Sequence, residues 1–452
     1  MSRTITRDMT TGNPIKLILQ FSVPMLIGNL FQQFYNMVDS IVVGKFVSKD
    51  ALAAVGATSS SIFLIISMTF GLAMGISIVV SQYFGAGDYE KVRKSIASAV
   101  YILFVSAIVM GTIGFFASRP LLELLDTPMD VIDQSEIYMK ICFIGIFGIV
   151  SYNGIAAILR ALGDSITPLI FLIVASLLNV VLDLVFVVFL KWDVPGVAIA
   201  TIISQIVSGG GCIIYAMRKV ELIRIPIKEL KPDREILSKC IRLGLPVAMQ
   251  NSFVSVSMMA LQFVVNGFQA TVMAAYTVVN RIEQLVIQPA ASLGAALASY
   301  TGQNIGARKI ERVKRGLRSA VLLILVFSII MFPVMYFGGE YIMRLFTKKE
   351  DIDVVRYGVE GIRITSMFYS CVGLIFITRN FLSGAGDIKI TMVMGLIEVV
   401  VRVVVSMYLS KIIGFHGIFW ASAINWFATA AFGCFRVLTG KWKNKSIIAG
   451  NA

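Results

Sequence analysis

Two carboxylates stand inside apolar stretches of this sequence, where an ionised side chain is costly. Asp39 lies in the run NMVDSIVV, six residues before Lys45, and Asp183 lies in VVLDLVFVV, eight residues before Lys191. A charge at the centre of a bilayer costs about 3 kcal/mol or more unless it faces protein or water, and such groups are typical of ion and substrate pathways. We therefore take both acids as candidates for ion binding.

Each acid belongs to a stripe of polar residues with helical spacing. Three stripes recur at three- and four-residue intervals: Gln32, Tyr35, Asn36 and Asp39; Ser176, Asn179 and Asp183; and Thr201, Ser204 and Ser208. Side chains three or four residues apart share one face of a helix. Stripes of this kind face protein or a water-filled cavity, because a polar face against lipid is unfavourable.

The elements that carry these stripes are membrane-spanning helices. The chain has 452 residues, of which 57% are hydrophobic and 15% charged, whereas soluble domains carry about a quarter charged residues. Apolar blocks long enough to cross about 30 Å of hydrocarbon recur along the whole chain. We place twelve spans near residues 17–43, 54–82, 95–117, 132–158, 168–190, 196–216, 238–265, 271–300, 317–338, 353–380, 390–410 and 416–435.

The orientation of these spans follows from the distribution of basic residues. With the amino terminus inside, the inner segments hold about three times as many Lys and Arg as the outer loops, which is the bias of cytoplasmic loops. Both termini are therefore expected in the cytoplasm. The net charge of +14 fits this bias, and without basic runs interleaved with aromatics it does not predict nucleic acid binding.

The polar stripes meet at one depth in the membrane. Asp39, Asp183 and Thr201 lie about 9, 12 and 9 Å inside the outer ends of their spans. Oxygen ligands suit Na⁺, and two carboxylates in a poorly hydrated site favour uptake of a proton, because burial and mutual repulsion disfavour the charged forms. We predict an H⁺ or Na⁺ coupling site at Asp39, Asn179, Asp183 and Thr201.

Two alternatives stay open for these acids. They are neutral, hydrogen-bonded packing groups, or one of them is paired with Lys140, which lies at about the same depth in the fourth span. Five scattered cysteines and a single histidine, His416, indicate neither a disulfide framework nor a Cys/His metal site. No cofactor is expected apart from a bound Na⁺, and no other metal site.

The sequence repeats itself at half its length. SQYFGAGDYEKVRKSI (81–96) resembles GQNIGARKIERVKRGL (302–317), and Gly163-Asp164 matches Gly386-Asp387, at offsets of 221–223. Six spans per copy give both copies the same orientation, which is a parallel repeat of the kind found in secondary transporters. We predict an N-lobe at 1–217, a cytoplasmic linker at 218–237 and a C-lobe at 238–452.

The second half offers a different set of polar residues. Arg281 and Glu283 lie near the middle of the eighth span, and Glu360/Arg363 and Glu398/Arg402 have the spacing of ion pairs within one helix. Glu283 is the stronger candidate for attracting a cationic substrate. The full set of candidates for contact with a substrate is Tyr35, Asn36, Asn153, Gln250, Asn251, Arg281, Glu283 and Glu398.

Several functional classes fit the sequence less well than a carrier. The chain contains no GxxxxGK[ST] motif, so any pumping is expected to use an ion gradient instead of ATP. One loop histidine and scattered acids do not supply the catalytic cluster of a membrane enzyme. A passive channel does not explain one buried acid cluster in one of two unequal halves. An exporter or flippase of a specific metabolite or lipid-linked precursor is the alternative.

Several motifs resemble the bacterial branch of the multidrug and toxic compound extrusion (MATE) family. They are PMLIGNLFQQFYNMVDSIVVG (24–44), the two GQNIGA-like segments (81–87 and 302–308), RALGD (160–164) with its echo GAGD (384–387), and PGVAIATIISQ (195–205). The resemblance covers nearly the whole chain.

The resemblance implies an all-α membrane protein with twelve transmembrane helices, in which the two six-helix lobes form a V around a central cleft. It implies that a monomer in the lipid bilayer exports cationic or amphipathic organic compounds in exchange for H⁺ or Na⁺. The family's N-lobe cation site falls on Asp39, Asn179, Asp183 and Thr201. A second branch carries an acid on the seventh helix, where this sequence has Ser252 and Ser255.

Overall fold

The structure is a computed structural model that describes residues 6–124, 127–347 and 350–448. Its α-helices follow one another through the chain as α1 (Pro14–Phe46), α2 (Lys49–Gly85), α3 (Tyr89–Leu124), α4 (Met129–Ile144), α5 (Ile146–Ala161), α6 (Ile166–Asp183), α7 (Asp193–Lys219), α8 (Arg234–Asn266), α9 (Ala270–Gly306), α10 (Ile310–Arg344), α11 (Ile352–Ser366), α12 (Tyr369–Ala385), α13 (Ile388–Ile413) and α14 (His416–Leu438).

These helices coincide with the predicted spans. Among the described residues, nine helices are long and apolar enough to cross a membrane, and the bent pairs α4–α5 and α11–α12 each add one more. Helix α9 covers the predicted eighth span with 37 residues, but Arg281, Glu283 and several amides make its centre less apolar. Helix α9 is therefore a predicted span with a polar centre.

The two bends fall at equivalent positions of the sequence repeat. Helices α4 and α5 meet at Gly145 with a bend of 50°, and α11 and α12 meet at 367–368 with a bend of 52°. A Cβ atom on Gly145 would lie 2.3 Å from the Ile202 side chain. Because Gly145 has no side chain, the fourth span can pack closely against α7. The recurrence of the bend shows that the repeat extends to the three-dimensional structure.

The chain divides into two compact units. The first contains Val23–Met249, the described residues before Gly12, and Gly306–Arg308; the second contains Gly12–Ser22, Gln250–Ile305 and the chain from Lys309 onwards. The first half of α8 thus belongs to unit 1, where Gly71 and Gly75 of α2 let the backbone approach Ala248 and Gly244. Lobe limits at the 218–237 linker stay a prediction.

Candidate ion-binding site

Three helices of unit 1 bring the predicted cation-binding residues together. The carboxyl groups of Asp39 on α1 and Asp183 on α6 lie within hydrogen-bonding reach of each other. Asn179, one turn before Asp183, donates its amide N–H to the hydroxyl of Thr201 on α7 at 3.5 Å. Asp183 is 0% exposed and Asn179 2% exposed. The stripes predicted from spacing therefore converge at one buried place.

The oxygens of this cluster lack donors from the described parts of the chain. Oδ1 of Asp39, both carboxylate oxygens of Asp183 and Oδ1 of Asn179 are buried without a hydrogen-bond partner. Buried polar groups are nearly always paired, and an ionised carboxylate only accepts hydrogen bonds. The chemistry of these oxygens fits a proton shared between the acids or a small cation held by them.

Two phenols and a thiol surround the acids. Tyr35 on α1 and Tyr138 on α4 both lie close enough to Asp39 and Asp183 to interact electrostatically with them, and Cys142 contacts Tyr138. Neither Tyr138 nor Cys142 was predicted as a site residue. Their four-residue spacing on one face of the fourth span was the only signal that pointed to them.

A small cavity continues from the site along α6 and α7. It is lined by Tyr35, Leu172, Ala175, Ser176, Asn179, Thr201, Ser204 and Gln205. The hydroxyls of Ser176 and Ser204 donate to the carbonyls of Leu172 and Ala200 in their own helices, both at 2.8 Å. Both hydroxyls are thus engaged within their own helices.

An apolar cluster includes valines that lie about one helical turn from the two acids. Val42 and Val43 follow Asp39 by about one helical turn, Val187 follows Asp183 by one turn, and all three pack in one cluster with Val194 and Val197. Directly after Asp183 the chain changes from α-helix to a π-helical segment, Leu184–Phe189. Segments of this type are frequent at functional sites, and Val187 of this segment belongs to the apolar cluster.

Lys140 does not pair with either acid. Its ammonium group lies 2.6 Å from Glu136 on the same helix and 5.2 Å from the centre of the Phe115 ring. Lys140 is two residues from Tyr138, so the two side chains point to different faces of α4. The alternative in which Lys140 neutralises Asp39 or Asp183 is therefore wrong.

The substrate-contact candidates of unit 1 differ in their surroundings. Tyr35 borders the cavity, Asn36 is exposed, and Asn153 donates its amide to the Ile149 carbonyl at 2.8 Å. Asn153 is thus engaged within its own helix. Contact with a substrate stays a prediction for all three residues.

The candidates of unit 2 also have distinct surroundings. Arg281 is exposed and Asn251 is partly buried, while Gln250 is buried with an unpartnered Oε1. Glu283 lies beside the hydroxyl of Thr365, and its Oε1 is buried without a partner. Glu283 is therefore the candidate with an available buried carboxylate oxygen.

The ion pairs predicted within α11 and α13 are wrong. Glu360 contacts His416 at 2.8 Å, and Arg363 donates to the carbonyl of Tyr336 at 3.3 Å. Glu398 pairs with Arg379 of α12. Neighbouring helices pack against these faces and offer partners with better geometry than the intrahelical spacing does.

Repeated membrane spans with ionisable groups buried in the protein interior are typical of secondary transporters. The MatE family model matches residues 24–185 and 246–408, once in each half of the chain. The chain belongs to this family of membrane transporters.

Individual relatives extend the comparison over almost the full length. The probable multidrug resistance protein YpnP of Bacillus subtilis (strain 168) is 31% identical over 439 residues, which cover 96% of this chain and 97% of that protein. The multidrug export protein MepA of Staphylococcus aureus (strain MSSA476) is 21% identical over 413 residues, 90% of each chain. A crystal structure of a MATE protein in the bent conformation aligns with a TM-score of 0.90 at 23% identity, covering 99% of both chains. The last comparison confirms the predicted twelve-helix, all-α fold.

Proposed function

We propose that this protein exports cationic and amphipathic organic compounds across the cytoplasmic membrane, in exchange for H⁺ or Na⁺, by alternating access. The observation that carries the proposal is the pair of facing carboxyl groups of Asp39 and Asp183 in a buried site. The names of its relatives, which refer to multidrug resistance and multidrug export, support the substrate class.

Coupling follows from the electrostatics of the carboxyl pair. Two ionised carboxylates in a medium of low dielectric constant repel strongly, so the pair is stable only when a cation or a proton neutralises it. Asn179 and Thr201 supply neutral oxygens for a metal ion, which the proton would not need. Neutralisation permits α1, α6 and α7 to pack more closely around the site.

Exchange requires that ion binding and substrate binding oppose each other. If the neutralised form of unit 1 binds the substrate less well, ion uptake from outside drives substrate release there. Thermodynamic linkage makes the effect reciprocal, so substrate uptake from inside must weaken ion binding by the same factor. This pair of events moves substrate outward and ions inward.

The substrate class is supported by the side chains that remain available. Glu283 presents a carboxylate oxygen without a partner, which favours an organic cation. The proposed contact set also includes Tyr35, Asn36, Asn153, Gln250, Asn251, Arg281 and Glu398, of which Asn153 and Glu398 already have partners within the protein. We further propose that the protein is a monomer with both termini in the cytoplasm. The basic 218–237 segment is its cytoplasmic linker.

Efflux from proteoliposomes tests this function. The purified protein is reconstituted with a fluorescent organic cation inside, and efflux is followed under a pH gradient alone and under a Na⁺ gradient alone. Asp39→Asn and Asp183→Asn should abolish efflux driven by the coupling ion, while the exposed Asp193→Asn serves as a matched control. Normal gradient-driven efflux by Asp39→Asn, at equal reconstituted protein, would exclude the assignment.

A further inference from the structure

The two repeats can be compared position by position, because their buried faces have the same register. Helices α6 and α13 match at an offset of 223, and α7 and α14 match at 221. At these offsets the buried residues of one repeat correspond to buried residues of the other. Between α6 and α13 the corresponding pairs are Leu172/Gly395, Ala175/Glu398, Asn179/Arg402 and Asp183/Ser406. Between α7 and α14 they are Ser204/Asn425, Ser208/Thr429 and Cys212/Gly433.

Unit 2 has lost the acids of the site and gained a guanidinium group. Leu261 stands at the position of Asp39 at the offset of 222 that matches Pro24 to Pro246, and it packs in an apolar cluster with Val265, Val272 and Ile418. Ser406 replaces Asp183, and Arg402 replaces Asn179. The position that carries a neutral ligand in unit 1 thus carries a permanent positive charge in unit 2.

The cavity of unit 1 also has a counterpart, but side chains occupy it. Ala156 and Ala175 of unit 1 correspond to Arg379 and Glu398. The guanidinium of Arg379 contacts the Glu398 carboxylate, and their side chains are only 12% and 6% exposed. Large charged side chains therefore fill the space that small residues leave around Asn179 in unit 1.

Arg402 is held in this cluster by the counterpart of Ser204. In the orientation that satisfies both neighbours, the Asn425 side chain accepts from Arg402 at 3.1 Å and donates to the Glu398 carbonyl at 3.3 Å. Ser257 donates to the same carbonyl at 3.1 Å. The titratable side chains near this cluster are Glu283, Tyr276 and Tyr369.

We infer that Arg402, supported by Arg379 and Glu398, is a resident cation that occupies in the second repeat the place of the exchangeable cation in the first. The inference rests on the proposed ion coupling at Asp39 and Asp183. It assigns coupling to unit 1 alone and makes Arg402 a positioning residue that keeps unit 2 permanently in a cation-filled form.

The permanent charge of Arg402 is the reason to assign ion coupling to unit 1 alone. An arginine side chain is not deprotonated in proteins, so Arg402 cannot cycle between a charged and a neutral state as an acid does. At its own position Arg402 repels a further cation at short range, and the Glu398 carboxylate is already paired with Arg379. Leu261 and Ser406 provide no carboxylate to attract one.

The first experiment asks whether unit 2 couples any ion. Accumulation of a fluorescent organic cation by proteoliposomes, driven separately by pH and Na⁺ gradients, is compared for wild type and the double variant Asp39→Asn/Asp183→Asn. We expect the double variant to lose at least about 90% of accumulation with either gradient. Retention of about half would overturn the single-unit coupling while leaving the Asp39/Asp183 site in place. Full retention would instead contradict the proposed function itself.

The second experiment asks whether the charge of Arg402 is what matters. We expect Arg402→Lys to retain efflux within about threefold and Arg402→Ala to lose it by at least about tenfold. Millimolar guanidinium ion should restore the alanine variant, whereas urea, its neutral analogue, should not. Normal efflux by Arg402→Ala, or equal rescue by urea, would overturn the resident-cation role. If the alanine variant does not fold, Arg402→Gln, which keeps a polar side chain without the charge, takes its place in the same comparison with Arg402→Lys.

Discussion

Asp39 and Asp183 face each other between α1 and α6, and each lies about one helical turn from a valine of the same apolar cluster. This arrangement places two acidic groups next to an apolar cluster that excludes water. Electrostatic interactions are stronger where water is excluded, so small changes at this pair should have large effects on transport. Substitutions in this protein should act through a change in charge, in the number of ligands to a bound ion, or in helix packing.

Substitution of Thr201 separates the two coupling ions. Thr201→Val preserves shape but removes the hydroxyl oxygen that lies 3.5 Å from Asn179. A metal ion loses one ligand, so the Na⁺ concentration for half-maximal efflux should rise roughly fivefold, for a loss of about 1 kcal/mol.

A proton requires no such ligand, so efflux driven by a pH gradient should change less than about twofold. Ser208→Ala is the matched control, because the Ser208 hydroxyl donates to the Phe171 carbonyl at 2.8 Å, farther along α7. Equal loss of pH-driven and Na⁺-driven efflux in Thr201→Val would contradict a ligand role.

Glu283 should discriminate substrates by charge. Glu283→Gln keeps the size of the side chain and removes its charge, so the apparent affinity for a monovalent cationic dye should fall roughly tenfold, for about 1.5 kcal/mol. A neutral amphipathic substrate should be affected much less. Concentration-dependent efflux of both substrates provides the measurement.

Glu360→Gln is the control for this variant, because Glu360 is an acid of the same unit that pairs with His416. The control should affect both substrates alike. An equal loss for cationic and neutral substrates in Glu283→Gln would rule out a cation-binding role.

The two Gly-Asp turns should respond differently to removal of charge. Asp387, 4% exposed, pairs with Arg436 at 2.7 Å, so Asp387→Asn leaves the partly buried Arg436 guanidinium without its charge partner at a cost of about 1–3 kcal/mol. Asp164 uses Oδ1 to accept from the backbone N–H groups of Ile166 and Thr167, and its buried Oδ2 has no partner. Asn also caps helices well, so Asp164→Asn should cost little.

Asp164 also predicts a dependence of stability on pH. Burial raises the pKa of the Asp164 carboxyl, and hydrogen bonds from Thr167 and Ile166 oppose the shift only in part. A raised folded-state pKa means that wild type loses stability as the pH rises from below the unfolded pKa through the folded one. The Tm of Asp164→Asn relative to wild type should therefore increase from acidic to neutral pH; a constant or falling difference would contradict this.

Close packing of α2 and α8 gives a prediction about stability. A Cβ atom on Gly71 would lie 2.3 Å from the backbone nitrogen of Ala248. Gly71→Ala should therefore force the helices apart and reduce stability by roughly 1–3 kcal/mol. Thermal unfolding of the purified protein in detergent provides the measurement.

Gly210→Ala on α7 is the matched control, because nothing lies within 4 Å of its Cβ position. That variant should be neutral or stabilised by up to about 1 kcal/mol, since Ala favours helix more than Gly. Equal destabilisation by both substitutions would indicate a general effect of the added methyl group.

The asymmetry of the repeats shows how one fold can use its two halves differently. Asn179 and Arg402 occupy equivalent buried positions, yet the first contacts a hydroxyl and the second contacts an amide next to an ion pair. Exchange of ions requires a site that can be emptied, whereas a guanidinium group attached to the backbone is always present. In the proposed mechanism, only unit 1 therefore responds to the ion.

The helical spans, their repeat and the cluster at Asp39, Asn179, Asp183 and Thr201 could all be predicted from the sequence. Hydrophobic length defines a span, and three- and four-residue spacing fixes which side chains share a face, so depth along three helices was enough to bring this cluster together. These are properties of single helices and of the bilayer thickness.

The pairs of side chains that meet across helices could not be predicted in this way, because they depend on how the helices pack. Spacing indicated Glu398 with Arg402 and left Lys140 as a partner for Asp39, whereas packing pairs Glu398 with Arg379 and Lys140 with Glu136. The rotation of each helix about its axis, and the neighbour it packs against, determine these contacts. Both depend on how side chains of distant segments fit together, which no local pattern records.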